Sequence, residues 1–196
     1  YFSKELAHNE HRRNHCRLIP FWQLHLYLTK VLGNKDFYKD LFEDIRTSVD
    51  PATDGECQLE FVKKACEAAN LDLTPFFEKY GFLKPMKLEV NDYGKKMFEV
   101  TEEGIKQTRK AIKAKKYPKL EVPFWYITDH TVELFKNPRA IEKGTAVCKG
   151  NTFTMENWKN VVAYEIFQNG KLVFVAPLQH FTVENAVVDA KVKVYA

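Results

Sequence analysis

The stretch from Asn160 to Leu178, NVVAYEIFQNGKLVFVAPL, decides the fold class. Asn169-Gly170 at its centre supplies the positive φ angles of a type I′ turn, and the runs on either side are rich in β-forming residues. The expectation is an antiparallel hairpin belonging to a sheet distinct from any helical core. Downstream, KVKVYA (191–196) alternates cleanly and reads as a closing strand. Upstream, beyond Pro118, EVPFWYIT (121–128) reads as strand-like, Asp129 to Phe135 as a short helix capped by Asp129, and GTAVCKG (144–150) as a further strand.

Before Pro118 the pattern is helical. In RLIPFWQLHLYLTKVLG (17–33), Pro20 suits a first helical turn and Gly33 a C′ position, with Phe21, Leu24, Leu28, Val31 and Leu32 on one apolar face. Asn34 or Asp36 can cap a second helix that aligns Phe37, Leu41 and Ile45, with Tyr38 and Phe42 on its flanks. After the loop TSVDPATDG, a third helix starts near Glu56 and buries Phe61, Val62, Ala65 and Ala69. Thr74-Pro75 opens a short fourth helix, anchored by Phe76 and Phe77 and stopped at Gly81. MKLEVNDYGKKMFEVT (86–101) reads as two strands around Asn91-Asp92-Tyr93-Gly94, and Thr101 caps the helix EEGIKQTRKAIKAKKY. The class is therefore α+β. A helical subdomain of about four to five helices, residues 1–118, precedes a smaller β-rich domain, residues 119–196.

The chain has 196 residues, enough to bury a sizeable core. Its net charge of +4 is the difference of 30 basic and 26 acidic residues, a mixture that does not point to nucleic acid. The lysine run of the fifth helix suits the helix dipole and lacks interleaved aromatic residues on which bases stack, so no nucleic-acid partner is assigned. No apolar run is long enough to span a bilayer, and no signal peptide opens the chain. Because it begins at Tyr1, it reads as an internal or C-terminal piece of a longer protein. Cys16, Cys57, Cys66 and Cys148 form no close pair of zinc-ribbon type. On one helix Cys57 and Cys66 would stand about 13 to 14 Å apart, beyond disulfide reach.

HNEHRRNHC (8–16) is the densest group of metal-ligating residues. In a helix, His8, His11 and His15 would share one face. The order His8-Asn9-Glu10-His11 nevertheless departs from HExxH, and Arg12 and Arg13 repel a cation. A polar, partly exposed segment without zinc is the expectation. His25 reads as a packing residue on the edge of the first helix, His130 as a neighbour of a helix cap and His180 as a strand residue. Trp22, Trp125 and Trp158 could each stack on a sugar, but core packing is the commoner use, and Trp22 in particular is expected to be buried in the helical subdomain. No catalytic, cofactor-binding or metal-binding residue is assigned.

Three blocks carry a resemblance: RLIPFWQLHLYL, DFYKDLFEDIR and CQLEFVKKACEAANLDLTPFFEKYGF. Together they resemble the helical part of the enhancin-like zinc metallopeptidases, family sixty of the metallopeptidases, which includes mucin-degrading enzymes of gut bacteria. Trp22-Gln23-Leu24 and Phe76-Phe77-Glu78 with Gly81 are similar to blocks that follow the catalytic motif in that family. A weaker likeness extends through VTEEGIKQTRKAIKAKKYP and WKNVVAYEIFQNGKLVFVAPLQHFTV. The resemblance implies a zinc held by an HExxH helix and a downstream glutamate, a glycoprotein or mucin substrate, and a secreted or cell-surface location. HExxH occurs nowhere in the chain. The resemblance therefore puts the zinc site of the parent protein before Tyr1, with HNEHRRNHC after the ligands and this chain inactive alone. The competing reading is a non-catalytic module that binds glycan or protein.

Overall fold

The computed structural model describes residues 2–11, 13–91, 94–184 and 189–195. They form two compact units: Glu5–Trp125, and Tyr126–Ala196 together with Phe2–Lys4. Among the described residues the first unit holds a one-turn 3-10 helix (His8–Glu10), α1 (Asn14–Leu24), a π-helical segment (His25–Val31), α2 (Phe37–Thr47), α3 (Asp54–Ala69), α4 (Thr74–Lys79), β1 (Met86–Asn91), β2 (Lys95–Val100) and α5 (Glu102–Lys115). The second holds α6 (Val132–Lys136), β3 (Thr145–Lys149), β4 (Thr152–Glu156), β5 (Ala163–Gln168), β6 (Lys171–Ala176), β7 (His180–Thr182) and β8 (Lys191–Tyr195). The chain is α+β, helices first and small antiparallel sheets after them.

The first helix departs from its expected form in two ways. It starts at Asn14, so Pro20 lies inside it rather than in its first turn. Past Leu24 the winding loosens: the Leu32 N–H donates to the Tyr27 carbonyl, five residues back, at 2.9 Å. A wider turn rotates the residues that follow it. Leu26, Tyr27 and Leu28 are consecutively buried, whereas Leu32, expected on the apolar face, is exposed. Gly33 then takes φ +78°, as a residue after a helix end often does.

The other helix ends follow local chemistry. Thr53 and Glu56 form a reciprocal capping box at the start of α3, Thr53 Oγ1 accepting from the Glu56 N–H at 3.2 Å. Thr101 caps α5 by accepting from the Gly104 N–H at 3.0 Å. At Gly55 the backbone of α3 meets β2 so closely that a β-carbon would stand 1.7 Å from the Glu99 carbonyl oxygen. Glycine allows that approach. The core of this unit gathers Leu24, Phe37, Leu41, Val62, Leu73, Phe76 and Phe77.

EVPFWYIT forms no strand. Pro123 has no N–H to give a ladder, and burial here does not alternate: Phe124, Tyr126 and Ile127 are all buried. Phe124 lies between the rings of Tyr27, at 4.1 Å, and Phe76, at 4.5 Å. Gln23 and Tyr80 both donate to the Trp125 carbonyl, at 2.9 and 3.0 Å, so the part up to Trp125 is held as a packed strap within the first unit. The next helix starts at Val132 rather than Asp129, with Thr131 Oγ1 accepting from the Thr128 N–H at 2.9 Å.

In the second unit β5 and β6 form the hairpin, with Asn169 at φ 51° and Gly170 at φ 75°. β8 pairs antiparallel with the other edge of β5, so the sheet order is β6-β5-β8; β3-β4-β7 make a second sheet. The core includes Phe153, Met155, Tyr164, Ile166 and Phe181, with Phe153 and Phe181 stacked at 5.3 Å. The Tyr126 hydroxyl donates to Glu165, a carboxylate buried in this core. Asp92 and Tyr93 of the expected β1–β2 turn lie outside the described residues.

Candidate functional site

The segment from His8 to Cys16 is not one helix, so the three histidines do not share a face. His8 sits in the 3-10 turn, the backbone is extended at His11 (φ −71°, ψ 118°) and at Arg13 (φ −96°, ψ 119°), and His15 lies exposed on α1. Arg12 lies outside the described residues. Aromatic packing draws His8 inward: its ring stacks on Phe82 with centroids 3.9 Å apart and meets Phe21 edge-on at 6.0 Å. The backbone around it is pinned by the His8 N–H donating to the Gly81 carbonyl at 3.1 Å. Burial, with Arg17 and His11 nearby, lowers its pKa to about 3. This histidine is a neutral packing group.

Glu10 and Asn9 of the segment have structural partners. Glu10 accepts from the Ala7 N–H at 2.6 Å. Asn9 donates to Gln58 at 2.8 Å, and Gln58 in turn donates to the Phe82 carbonyl at 2.8 Å. Among the described residues no three His, Cys, Asp or Glu side chains are grouped to hold a metal ion. The donors present do not fit a zinc centre, and no catalytic step is assigned to them.

Two further surfaces of the first unit carry polar or aromatic side chains. One is a groove of about 750 Å³ between the Asn9–Arg17 segment and the β1–β2 hairpin. Leu88 and Phe98 line its apolar part, while Asn14, Arg17, Asp54 and Lys96 line its polar part. Lys96 and Asp54 form an ion pair at 2.7 Å. Such a lining offers hydrogen bonds and charge to an extended polar chain, but among the described residues it contains no nucleophile paired with a base. The other is an aromatic ladder. Trp22 stacks on His25 at 5.0 Å, His25 on Tyr38 at 6.5 Å and Tyr38 on Phe42 at 5.5 Å. Trp22 is 52% exposed, against the expectation of burial, because it lies on the side of α1 opposite Gln23 and Leu24. Leu18 (60% exposed), Ile19 (43%) and Phe42 (57%) extend this apolar surface.

The other residues singled out in the sequence have separate surroundings. His25 is a half-buried rung of the ladder, as its packing role requires. Trp125 is half-buried, with the Lys79 ammonium 5.5 Å from its ring. His130 is exposed ahead of α6. His180 faces Thr154 across the β4–β7 pair at 3.0 Å, on an exposed side that leaves both groups solvated. Trp158 is half-buried in the second unit. The inward turn of His8 was not legible because its neighbours Phe21 and Phe82 are distant in sequence. A helix start placed near Glu56 misses the capping box at Thr53, although the Thr53–Glu56 spacing is the signal that would have found it.

Residues 1–81 match the family described as Peptidase M60, enhancin and enhancin-like. No curated protein matches the chain. Among solved structures, a metallopeptidase in complex with Tn antigen is 26% identical with TM-score 0.70, the match covering 91% of this chain and 38% of that one. A metallopeptidase from Bacteroides thetaiotaomicron is 26% identical with TM-score 0.66, covering 92% of this chain and 34% of that one. The M60 catalytic domain of Clostridium perfringens ZmpC, in complex with the sialyl T antigen, shares the fold at 19% identity and TM-score 0.59, covering 100% of this chain and 36% of that one. This chain thus spans well under half the length of these metallopeptidase chains.

Proposed function

We propose, from the match of residues 1–81 to the M60, enhancin-like peptidase family, that this chain belongs to that family and is the C-terminal portion of a zinc metallopeptidase acting on glycoproteins such as mucins. In this reading the zinc ligands and the general base lie in an upstream segment of a longer protein. The observation that carries it is a family match beside a sequence without HExxH, in a fold that spans 38% of a related metallopeptidase. Zinc in the longer protein would polarise the scissile carbonyl and activate a water. The residues of this chain would support that chemistry without performing it. The groove beside β1–β2 would form one wall of the substrate cleft, and the surface of Leu18, Ile19, Trp22 and Phe42 would pack against the upstream segment. A secreted or cell-surface location accompanies this reading.

The test incubates a mucin-type glycoprotein with the longer protein and with the 196-residue chain, each with added zinc and with chelator. Cleavage by the longer protein that chelation abolishes, with none by the chain, is the expected result. Zinc-dependent cleavage by the chain alone overturns the assignment of the active site to upstream residues.

A further inference from the structure

The second unit contains a depression that the peptidase reading does not use. It encloses about 530 Å³ beside Trp158, and Tyr164, Asn137, Arg139, Asn160 and Gln179 contribute to its lining. Three observations make it a built site. First, the indole is fixed. Its N–H donates to the Thr145 carbonyl at 3.1 Å, and a β-carbon on Gly144 would lie 2.7 Å from indole Cδ1, so backbone rests directly against the ring. Asn157 at φ 60° and Asn160 at φ 58°, on either side of Trp158-Lys159, shape the loop that holds it. Asparagine tolerates that left-handed conformation better than most residues.

Second, the Tyr164 hydroxyl is buried beside the Gln179 amide, which can donate to its oxygen, while its own proton has no acceptor among the described residues. A buried hydroxyl proton left unmatched is costly, so such groups usually serve a bound molecule or an ordered water. Third, the polar groups are partly committed in a way that leaves acceptors and one cation over. Gln179 Nε2 donates to the Trp158 carbonyl at 2.7 Å and Asn160 Nδ2 to the Ala140 carbonyl at 2.8 Å, which leaves each side-chain oxygen as an acceptor. Lys159 is paired with Glu142 at 2.6 Å and Glu133 with Lys136 at 2.8 Å. Arg139 has no ion-pair partner among the described residues.

We propose that this depression binds a sugar residue carrying a carboxylate. The indole offers an apolar face to the pyranose ring, the amide oxygens accept from its hydroxyls, the Tyr164 hydroxyl donates to it, and the Arg139 guanidinium takes the carboxylate. A neutral sugar would leave Arg139 without its anion. A small anion alone would leave the indole uncovered. The site lies wholly within the second unit and so stands or falls separately from the zinc reading.

The test is titration of the ¹⁵N-labelled 196-residue chain with sialyllactose, lactose and acetate, following the Trp158 indole N–H and neighbouring amides by NMR. Saturable shifts with sialyllactose, at least fivefold weaker with lactose or acetate, are expected. Arg139→Gln, at an exposed position, should reduce sialyllactose affinity at least fivefold while leaving the remaining spectrum in place. Tyr164→Phe, which removes only the hydroxyl, should weaken binding with the fold retained. Absence of shifts at millimolar sialyllactose, equal response to lactose, or affinity indifferent to Arg139→Gln overturns the proposal.

Discussion

At the scale of one residue, His8 shows how packing sets chemistry. Stacked on Phe82 and removed from water, its imidazole is held neutral with a pKa of about 3. In the unfolded chain the same group protonates near 6.5. Above that pH both states bind the same number of protons, and His8 gives stability no pH dependence. As pH falls from about 6.5 towards 3 the unfolded state binds the extra proton, so stability declines, at most about 1.4 kcal/mol per pH unit. Unfolding of the chain and of His8→Phe between pH 7.5 and 3.5 checks this, since the other titrating groups are common to both. The variant should lose stability less steeply in that window, and parallel curves would show that His8 is not buried neutral.

At the scale of the element, the first helix carries the largest departure from pattern reading. A regular helix with Phe21, Leu24 and Leu28 inward is legible in residues 17–33, and Leu24 and Leu28 are in the core. The π-helical winding after Leu24 is not legible, because five-residue bonding is selected by what the widened turn can bury: here Tyr27, stacked on Phe124 from another part of the chain. The exposed position of Trp22 changes what its removal should do. A core tryptophan truncated to alanine costs about 3–5 kcal/mol. With half its surface already in water and its ring stacked on His25, Trp22→Ala in this chain should cost about 1 kcal/mol or less. Thermal melts of the chain measure this, and a loss of several kcal/mol would mean the ladder is a core element. In the longer protein the same substitution should lower the melting temperature further, because there the indole would be covered.

At the scale of the whole molecule, the proposed reading places the metal chemistry in a segment of a longer protein outside these residues. Binding to the native state alone stabilises a protein in proportion to the logarithm of ligand concentration over Kd. Chelator should therefore lower the melting temperature of the longer protein and leave that of the 196-residue chain unmoved. A chelator-sensitive transition in the chain would reveal a structural metal site among its own residues. The comparison uses stability rather than cleavage, so it separates metal binding from catalytic competence.

The sequence by itself determined the features that depend on neighbours along the chain. The Asn169-Gly170 hairpin, the Thr101 cap and the Thr74-Pro75 helix start are each specified within a few residues, by backbone preference and short-range hydrogen bonding. The three blocks between Arg17 and Phe82 likewise carried enough identity for a family likeness. Only the tertiary structure decided what depends on distant partners. It placed Phe124 between Tyr27 and Phe76 instead of in a strand, drew His8 onto Phe82 and left Trp22 outside. It also gathered Trp158, Tyr164 and Arg139 around one depression. Hydrophobic burial has no direction along the chain, so residues of similar polarity reach opposite fates according to which faces close together in space.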